Sequence, residues 1–171
     1  MGQFCSSVKT LAACTYENTP PFSFEGMDVV AKVVDIYDGD TVTCVFYKFK
    51  KCYRFTVRLS GIDTCELSSK NREQGLRARK RLYELVSKDT SSIDIHIPRK
   101  NLRQKLGESR CLVRLICGKF DKYGRLLGDL YEVNGVKSFN DILVMEKLAY
   151  PYFGDKKLTD DEQIEFLGGD R

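Results

Sequence analysis

The chain has no tryptophan and only one histidine, His96, among its 171 residues. One histidine is too few for the common zinc sites, which combine histidine with closely spaced cysteines. None of the seven cysteines forms a C-x-x-C pair, and their number is odd. We therefore expect no zinc, and we interpret the cysteines as free thiols in a reducing compartment. His96 alternates with isoleucines, which favours the solvent-facing side of a strand over a catalytic role.

The sequence also lacks a hydrophobic run long enough to span a bilayer, and it lacks a basic-then-hydrophobic secretion signal. A hydrophobic content of 42% and a charged content of 30% are typical of an ordinary globular protein. The length suits one domain with a substantial core. We therefore expect an intracellular, monomeric, single-domain protein.

The net charge of +4 is too small to indicate a nucleic-acid partner by itself. Its distribution is more informative, because residues 70–81 and 99–110 are strongly basic whereas residues 159–170 are acidic. Clustered bases beside a carboxylate site suit a polyanionic substrate, although a solvated helix face has the same composition.

Short runs rich in Val, Phe, Tyr and Thr predict strands at residues 28–37, 41–47, 53–62, 93–97, 111–117 and 126–132. Helical spacing predicts helices at residues 71–86 and 138–147, and the capping-box spacing from Thr159 predicts a short terminal helix. The pattern is typical of an α+β, mainly β, fold: a five-stranded OB-fold-type barrel with two to three helices. We assign the barrel to residues 27–157, a flexible segment to residues 1–26 and an acidic segment to residues 158–171.

Carboxylates and an arginine cluster around the predicted strand ends. Asp40 lies in the turn Asp38-Gly39-Asp40-Thr41, and the strand that follows leads through Arg58 to Asp63 and Glu66. Such a group is costly to bring together unless it holds a cation and an anionic substrate. A bound cation beside an anionic substrate is what phosphodiester cleavage requires.

Three motifs carry a family resemblance. In order along the chain they are Asp38-Gly39-Asp40-Thr41, Arg58-x4-Asp63-Thr64-Cys65-Glu66 and Asp121-Lys122-Tyr123-Gly124-Arg125. Together they resemble the signatures of staphylococcal-nuclease-like (thermonuclease) domains over residues 27–157, and Ala149-Tyr150-Pro151-Tyr152 is a weaker fourth match.

The resemblance implies a Ca²⁺-dependent nuclease that hydrolyses DNA, RNA or both. By position, Asp40 and Asp63 would bind Ca²⁺ with help from the Thr64 carbonyl, and Glu66 would be the general base for the attacking water. The donor set agrees with this assignment, because Ca²⁺ prefers carboxylate, carbonyl and water oxygens. Asp38 would lie near the metal or only form the turn.

The same resemblance places Arg58 and Arg125 at the scissile phosphate, where guanidinium groups match the geometry of the non-bridging oxygens. Three tyrosines would contact the nucleotide or, alternatively, pack in the barrel: Tyr123, Tyr150 and Tyr152.

The sequence departs from the family pattern at two places. Cys65 stands where the family commonly has proline. The loss of proline would loosen the turn that carries the general base. Residues 99–110 form a longer basic loop, either an arm that contacts phosphates or an exposed insertion.

The alternative function is a catalytically silent module that binds nucleic acid or protein. Silent copies of such domains tend to lose the carboxylates and arginines, whereas this sequence has Asp40, Asp63, Glu66, Arg58 and Arg125. The enzyme is therefore the favoured interpretation.

The N-terminus fits an N-myristoylation pattern, with Gly2 as the acceptor and Ser6 at the required position. Cys5 could carry a palmitoyl chain, so the alternatives are a lipid-anchored enzyme on the cytoplasmic face of a membrane and an unmodified cytoplasmic one.

Overall fold

The computed structural model describes residues 2–89 and 93–168, and for residues 2–6 it describes the backbone alone. The strands are β1 Asp28–Ile36, β2 Thr41–Lys48, β3 Lys51–Leu59, β4 Ile62–Asp63, β5 Leu112–Phe120, β6 Leu126–Glu132 and β7 Tyr150–Pro151. The helices are α1 Gly2–Ala12, α2 Arg72–Ser87, α3 Arg99–Glu108, α4 Phe139–Met145 and α5 Asp160–Leu167.

Five of these strands close into a barrel in the order β1-β2-β3-β6-β5. All neighbours are antiparallel except β3 and β6, which run parallel. Alternate residues of β2 point into the barrel, so Val42, Cys44 and Phe46 are buried. The predicted α+β fold with a five-stranded OB-fold-type barrel is confirmed.

Helix α2 lies where the sequence predicted it, and its buried face includes Leu76, Ala78, Leu82 and Val86. The predicted terminal helix is also present, because α5 begins with a capping box formed by Thr159 and Glu162. Helix α5 lies against the domain, since the Asn71 side-chain amide donates to the Asp160 carbonyl at 2.6 Å.

Two sequence predictions between α2 and β5 are wrong. Residues 93–97 form a turn rather than a strand, and residues 99–110 are mostly the helix α3 rather than a loop. Leu102 and Leu106 are spaced one helical turn apart and both are buried, which explains why this basic segment is helical. The described residues therefore contain five helices instead of two to three.

The N-terminal segment is also more regular than predicted, because its first residues form helix α1. The lipidation prediction rests on the Gly2 amino group and the Cys5 thiol, and the Cys5 side chain lies outside the described part of the structure. Further along, Phe24 is buried in the barrel, with its ring centroid 5.1 Å from that of Phe55. Across residues 2–89 and 93–168, no helix has both the length and the apolar character needed to cross a membrane.

Candidate active site

The turn between β1 and β2 is held against α2 by a glycine. A Cβ atom at Gly39 would lie 2.6 Å from Cβ of Ala78 and 2.8 Å from Cγ2 of Thr64. The φ of Gly39 is not positive, so the close approach, rather than backbone freedom, is the reason for glycine here. This approach brings the Asp40 turn next to the Thr64 turn.

Arg58 lies between the two aspartates assigned to the metal. Its Nη1 is 2.6 Å from Oδ2 of Asp40, and its Nη2 is 2.6 Å from Oδ1 of Asp63. All three side chains are at least nine-tenths buried. Burial alone would lower the pKa of Arg58, but the two carboxylates outweigh it and raise the pKa above its ordinary value. The arginine is therefore a fixed positive charge shared by both aspartates.

Two further contacts orient these aspartates. The Thr41 hydroxyl donates to Oδ1 of Asp40 at 2.8 Å, and the buried Tyr150 hydroxyl donates to Oδ2 of Asp63 at 2.5 Å. Tyr150 is on β7, which pairs with β4 and so places the phenol directly beside Asp63. Tyr150 thus supports a carboxylate from inside the protein, and it does not line the open site as a nucleotide contact would.

Glu66, the residue assigned as general base, is exposed and paired with a lysine that the sequence analysis missed. Nζ of Lys157 lies 2.9 Å from Oε1 of Glu66 and 3.1 Å from Oδ1 of Asp63. Lys157 follows Gly154, Asp155 and Lys156, and a lysine in such a polar stretch carries no sequence signal for a site. Only the folded chain brings it to the carboxylates.

The turn that carries Glu66 is packed more tightly than expected for a cysteine in place of proline. Cys65 is buried, and burial raises the pKa of its thiol to about 11. A Cβ atom at Gly75 of α2 would lie 2.3 Å from the Cys65 carbonyl oxygen, so the helix backbone contacts this turn directly. The effect of Cys65 on rate stays a prediction.

Arg125 belongs to a separate tight turn between β5 and β6. Its Nε donates to Oδ2 of Asp121 at 2.7 Å, while Oδ1 of Asp121 accepts from the backbone N–H groups of Tyr123 and Arg125. Gly124 has a φ of +79°, which glycine adopts without strain. The Arg125 guanidinium lies 5.5 Å from the Tyr123 ring centroid.

An open cleft of about 600 Å³ brings most of the predicted residues together. Those that line it are Asp40, Arg58, Thr64, Glu66, Tyr123, Arg125 and Tyr152. Asp63 lies beneath them, bonded to Arg58. The lining also includes Tyr37, Arg99, Lys122 and Lys157, which the sequence analysis did not assign to the site.

The charges at the floor of the cleft are unbalanced. Burial and the neighbouring carboxylate of Asp40 raise the pKa of Asp38 to about 7. The four carboxylates of this floor, Asp38, Asp40, Asp63 and Glu66, face two bonded cations, Arg58 and Lys157. Arg99, Lys122 and Arg125 also line the cleft, so the acidic excess is confined to this floor, which is where a cation would fit.

The donor chemistry fits a hard divalent ion such as Ca²⁺. Asp40 and Asp63 converge, because both bond to the guanidinium group of Arg58. The carbonyl of Thr64 directly follows Asp63 in the chain and would add a third oxygen. The described residues contain no group of three or more His, Cys, Asp and Glu side chains arranged to hold a metal, so carbonyl and water oxygens would complete the shell.

A closed five-stranded barrel with carboxylates and arginines at one cleft defines an OB-type domain. The family model described as staphylococcal nuclease homologue matches residues 56–168, about two thirds of the chain. The chain belongs to this family, and the matched region includes α5, which the predicted domain ending at residue 157 excluded. A search of the curated proteins found no match.

Proposed function

We propose that the protein is a Ca²⁺-dependent nuclease that hydrolyses phosphodiester bonds of DNA, RNA or both. The observation that supports this most directly is the single cleft lined by Asp40, Glu66, Arg58 and Arg125. Membership of the staphylococcal nuclease homologue family supports the same class of chemistry. In this proposal Asp40, Asp63 and the Thr64 carbonyl hold the ion, which would polarise the phosphate and a bound water.

Glu66 is the proposed general base. Its side chain is about half exposed, so a water molecule can reach its free carboxylate oxygen while the other oxygen stays paired with Lys157. A carboxylate within hydrogen-bonding reach of the attacking water can accept its proton as the bond to phosphorus forms.

Arg58 and Arg125 are the proposed phosphate ligands. Phosphoryl transfer collects negative charge on the non-bridging oxygens, and two guanidinium groups that face one cleft can stabilise it. In the present arrangement Arg58 bonds Asp40 and Asp63, and Arg125 bonds Asp121. Arg58 must exchange at least one carboxylate partner for a phosphate, whereas Arg125 bonds Asp121 through Nε and keeps its Nη groups for a phosphate. Arg58 can do so once its two aspartates have another counter-ion.

The test is an assay of single- and double-stranded DNA and RNA with Ca²⁺, with Mg²⁺ and with chelator, followed by identification of the product ends. We expect cleavage with Ca²⁺, less with Mg²⁺, and none with excess chelator, because Mg²⁺ demands a stricter octahedral shell. Glu66→Gln should lower the single-turnover rate by about 10²–10⁴-fold while binding of Ca²⁺ and substrate stays unchanged. Wild-type rates in Glu66→Gln would contradict its role as the base.

The matched control is Glu165→Gln, an equivalent change at an exposed position of α5, which should leave the rate unchanged.

A second candidate is a silent module that binds nucleic acid or protein. The ion pairs of Arg58 favour it, because the arginine already pairs with both aspartates that would hold the ion. Calorimetry distinguishes the two: a silent module would bind nucleic acid equally well with Ca²⁺ and with chelator, and it would cleave neither DNA nor RNA.

A further inference from the structure

The hairpin formed by β2 and β3 extends beyond the closed barrel. β1 pairs with β2 only as far as Val45, and β6 pairs with β3 only from Val57 onward. The residues from Phe46 to Tyr53 pair in this sheet only with one another across the hairpin. The tip of this ribbon lies about 23 Å from the Thr41 end of β2, since a strand rises about 3.3 Å per residue.

The tip is aromatic and basic, and we call residues 47–53 together with Phe22 the hairpin tip. Its exposed aromatic side chains are Phe22, Tyr47, Phe49 and Tyr53, each 41–66% exposed. The ring of Phe22 lies 6.2 Å from that of Phe49, so the N-terminal segment adds to the same apolar surface. Large aromatic side chains so exposed at one protrusion mark an interaction surface.

The hairpin has no acidic residue from Thr41 to Val57, whereas it has Lys48, Lys50, Lys51 and Arg54. Within the described residues, none of these four bases has a carboxylate within 4.0 Å. Elsewhere the bases are often paired, as Arg81 is with Glu146 and Lys70 with Asp161. The tip therefore carries an uncompensated positive charge, and its partner must be anionic.

Backbone strain in the hairpin turn separately indicates that the hairpin tip has a function. Phe49 and Lys50 are the two central residues of the hairpin turn, with φ of 49° and 63°. A two-residue turn with both φ values positive is normally made by Asn-Gly, because side chains other than glycine are strained there. An aromatic ring and a lysine at these positions are unfavourable for the turn itself. A functional contact outside the protein would explain their presence.

We propose that the hairpin tip docks on an anionic lipid surface, with the aromatic rings at the headgroup level and the lysines at the lipid phosphates. Aromatic and lysine side chains are the residues that favour this interface, and each basic residue near it adds electrostatic attraction. The tip is convex, so it suits a planar surface. A nucleic-acid strand would need a groove to follow its backbone. Two copies meeting tip to tip would bring like charges together, which disfavours self-association.

This docking surface is independent of the proposed nuclease activity and of acylation at Gly2. The tip lies at the end of β2 remote from Asp40, so docking would leave the cleft open to the aqueous phase. The surface would hold the barrel at a membrane with its carboxylates directed away from the anionic lipids.

The test is sedimentation of the unacylated full chain, produced in bacteria, with phosphatidylcholine vesicles that contain or lack phosphatidylserine. We expect binding that requires phosphatidylserine. Lys50→Glu/Lys51→Glu should reduce the partition coefficient by at least about 25-fold, since each lysine contributes roughly fivefold. Lys100→Glu/Lys137→Glu changes the net charge by the same amount, but at two exposed positions away from the tip. This control should retain most of the binding.

A second variant separates function from strain. Phe49→Asn/Lys50→Gly provides the preferred turn sequence, so it should raise Tm by about 2–4 °C per relieved residue and yet lose vesicle binding. Equal binding to both vesicle types, or unchanged binding in both tip variants, would overturn the proposal. So would a tip substitution that weakened oligonucleotide binding or a concentration-dependent dimer instead of vesicle binding. Nuclease assays on soluble oligonucleotides should be unaffected by the tip variants.

Discussion

Two clusters of aspartate and arginine lie close together in this protein and have opposite composition. In the cleft, one arginine, Arg58, bonds two aspartates. Beside it, one aspartate, Asp35 of β1, bonds two arginines of α3, with Asp35 Oδ2 accepting from Arg99 at 2.5 Å and from Arg103 at 2.6 Å. Lys157 also contacts Asp63 at 3.1 Å and Glu66 at 2.9 Å, so three carboxylates face two cations in the first cluster, whereas one carboxylate faces two arginines in the second.

The two clusters also differ in how deeply their arginine side chains are buried. The Arg58 side chain is only 10% exposed, whereas those of Arg99 and Arg103 are 39% and 56% exposed. A buried aspartate pair with an acidic excess suits a small cation. Exposed arginines with a basic excess suit a phosphate backbone that passes along the cleft, and Arg99 lines that cleft. Under the proposed function, the same two residue types would serve opposite ligands, according to which of them is in excess.

Among the arginines and aspartates of the two clusters, the largest expected effect is at Arg58. Arg58→Ala should lower turnover by about 10²–10³-fold, comparable to the loss of one preorganised donor at a developing oxyanion. It should also raise Ca²⁺ affinity, because Asp40 and Asp63 lose the cation that competes for them. Single-turnover kinetics and calcium calorimetry measure the two effects. Arg58→Lys is the matched control and should recover part of the rate. A variant with wild-type turnover would remove Arg58 from catalysis.

Asp35→Asn should have a moderate effect on stability. The free energy of unfolding should fall by about 1–2 kcal/mol at neutral pH, toward the lower end for hydrogen bonds to a charged group because both arginines are partly exposed. Burial raises the pKa of Asp35, but Arg99 and Arg103 outweigh it and bring the pKa below its ordinary value. The contribution is therefore complete above the unfolded-state pKa and is lost as pH falls through the folded-state pKa. Urea unfolding at about pH 7 and about pH 3 should show the difference between variant and wild type shrinking in acid.

The same variant sharpens the comparison between the clusters. Asp35→Asn leaves Arg99 and Arg103 without their carboxylate, so nucleic-acid binding should become tighter and more salt-dependent, whereas Ca²⁺ affinity should stay unchanged. A changed Ca²⁺ affinity would mean that the two clusters are coupled.

The smallest expected effect concerns the exposed face of α3. Arg103→Gln/Lys105→Gln should reduce the slope of log affinity against log salt by about 0.7–0.9 for each phosphate that the variant no longer neutralises. The chemical step should be unchanged. Lys137→Gln, an exposed lysine far along the chain from α3, is the control for a general charge effect. If the slope is unchanged, α3 is a solvated surface and the basic excess beside Asp35 has no role in binding.

The sequence alone was sufficient for the barrel and for most of the cleft. Alternating apolar residues identified β1, β2 and β3, and the three motifs identified Asp40, Asp63, Glu66 and the two arginines. It missed α3, because the basic side chains obscured the helical spacing of Leu102 and Leu106. For Tyr150 it left nucleotide contact and packing open, and it did not foresee the hydrogen bond from the Tyr150 hydroxyl to Asp63. The sequence identified the residues that belong to short motifs, but not the residues whose contacts come from distant parts of the chain.

The sequence by itself determined which charged residues lie at the strand ends, because strand periodicity and short motifs are local properties. Tertiary structure decided which charges neutralise one another. Arg58 bonds Asp40, 18 positions earlier in the chain, and Lys157 bonds Glu66, 91 positions earlier. Ion pairs depend on distances of a few ångströms, which closure of the barrel sets and which spacing along the chain does not. The excess of charge that remains in each cluster, and with it the kind of ligand it favours, could be known only from the fold.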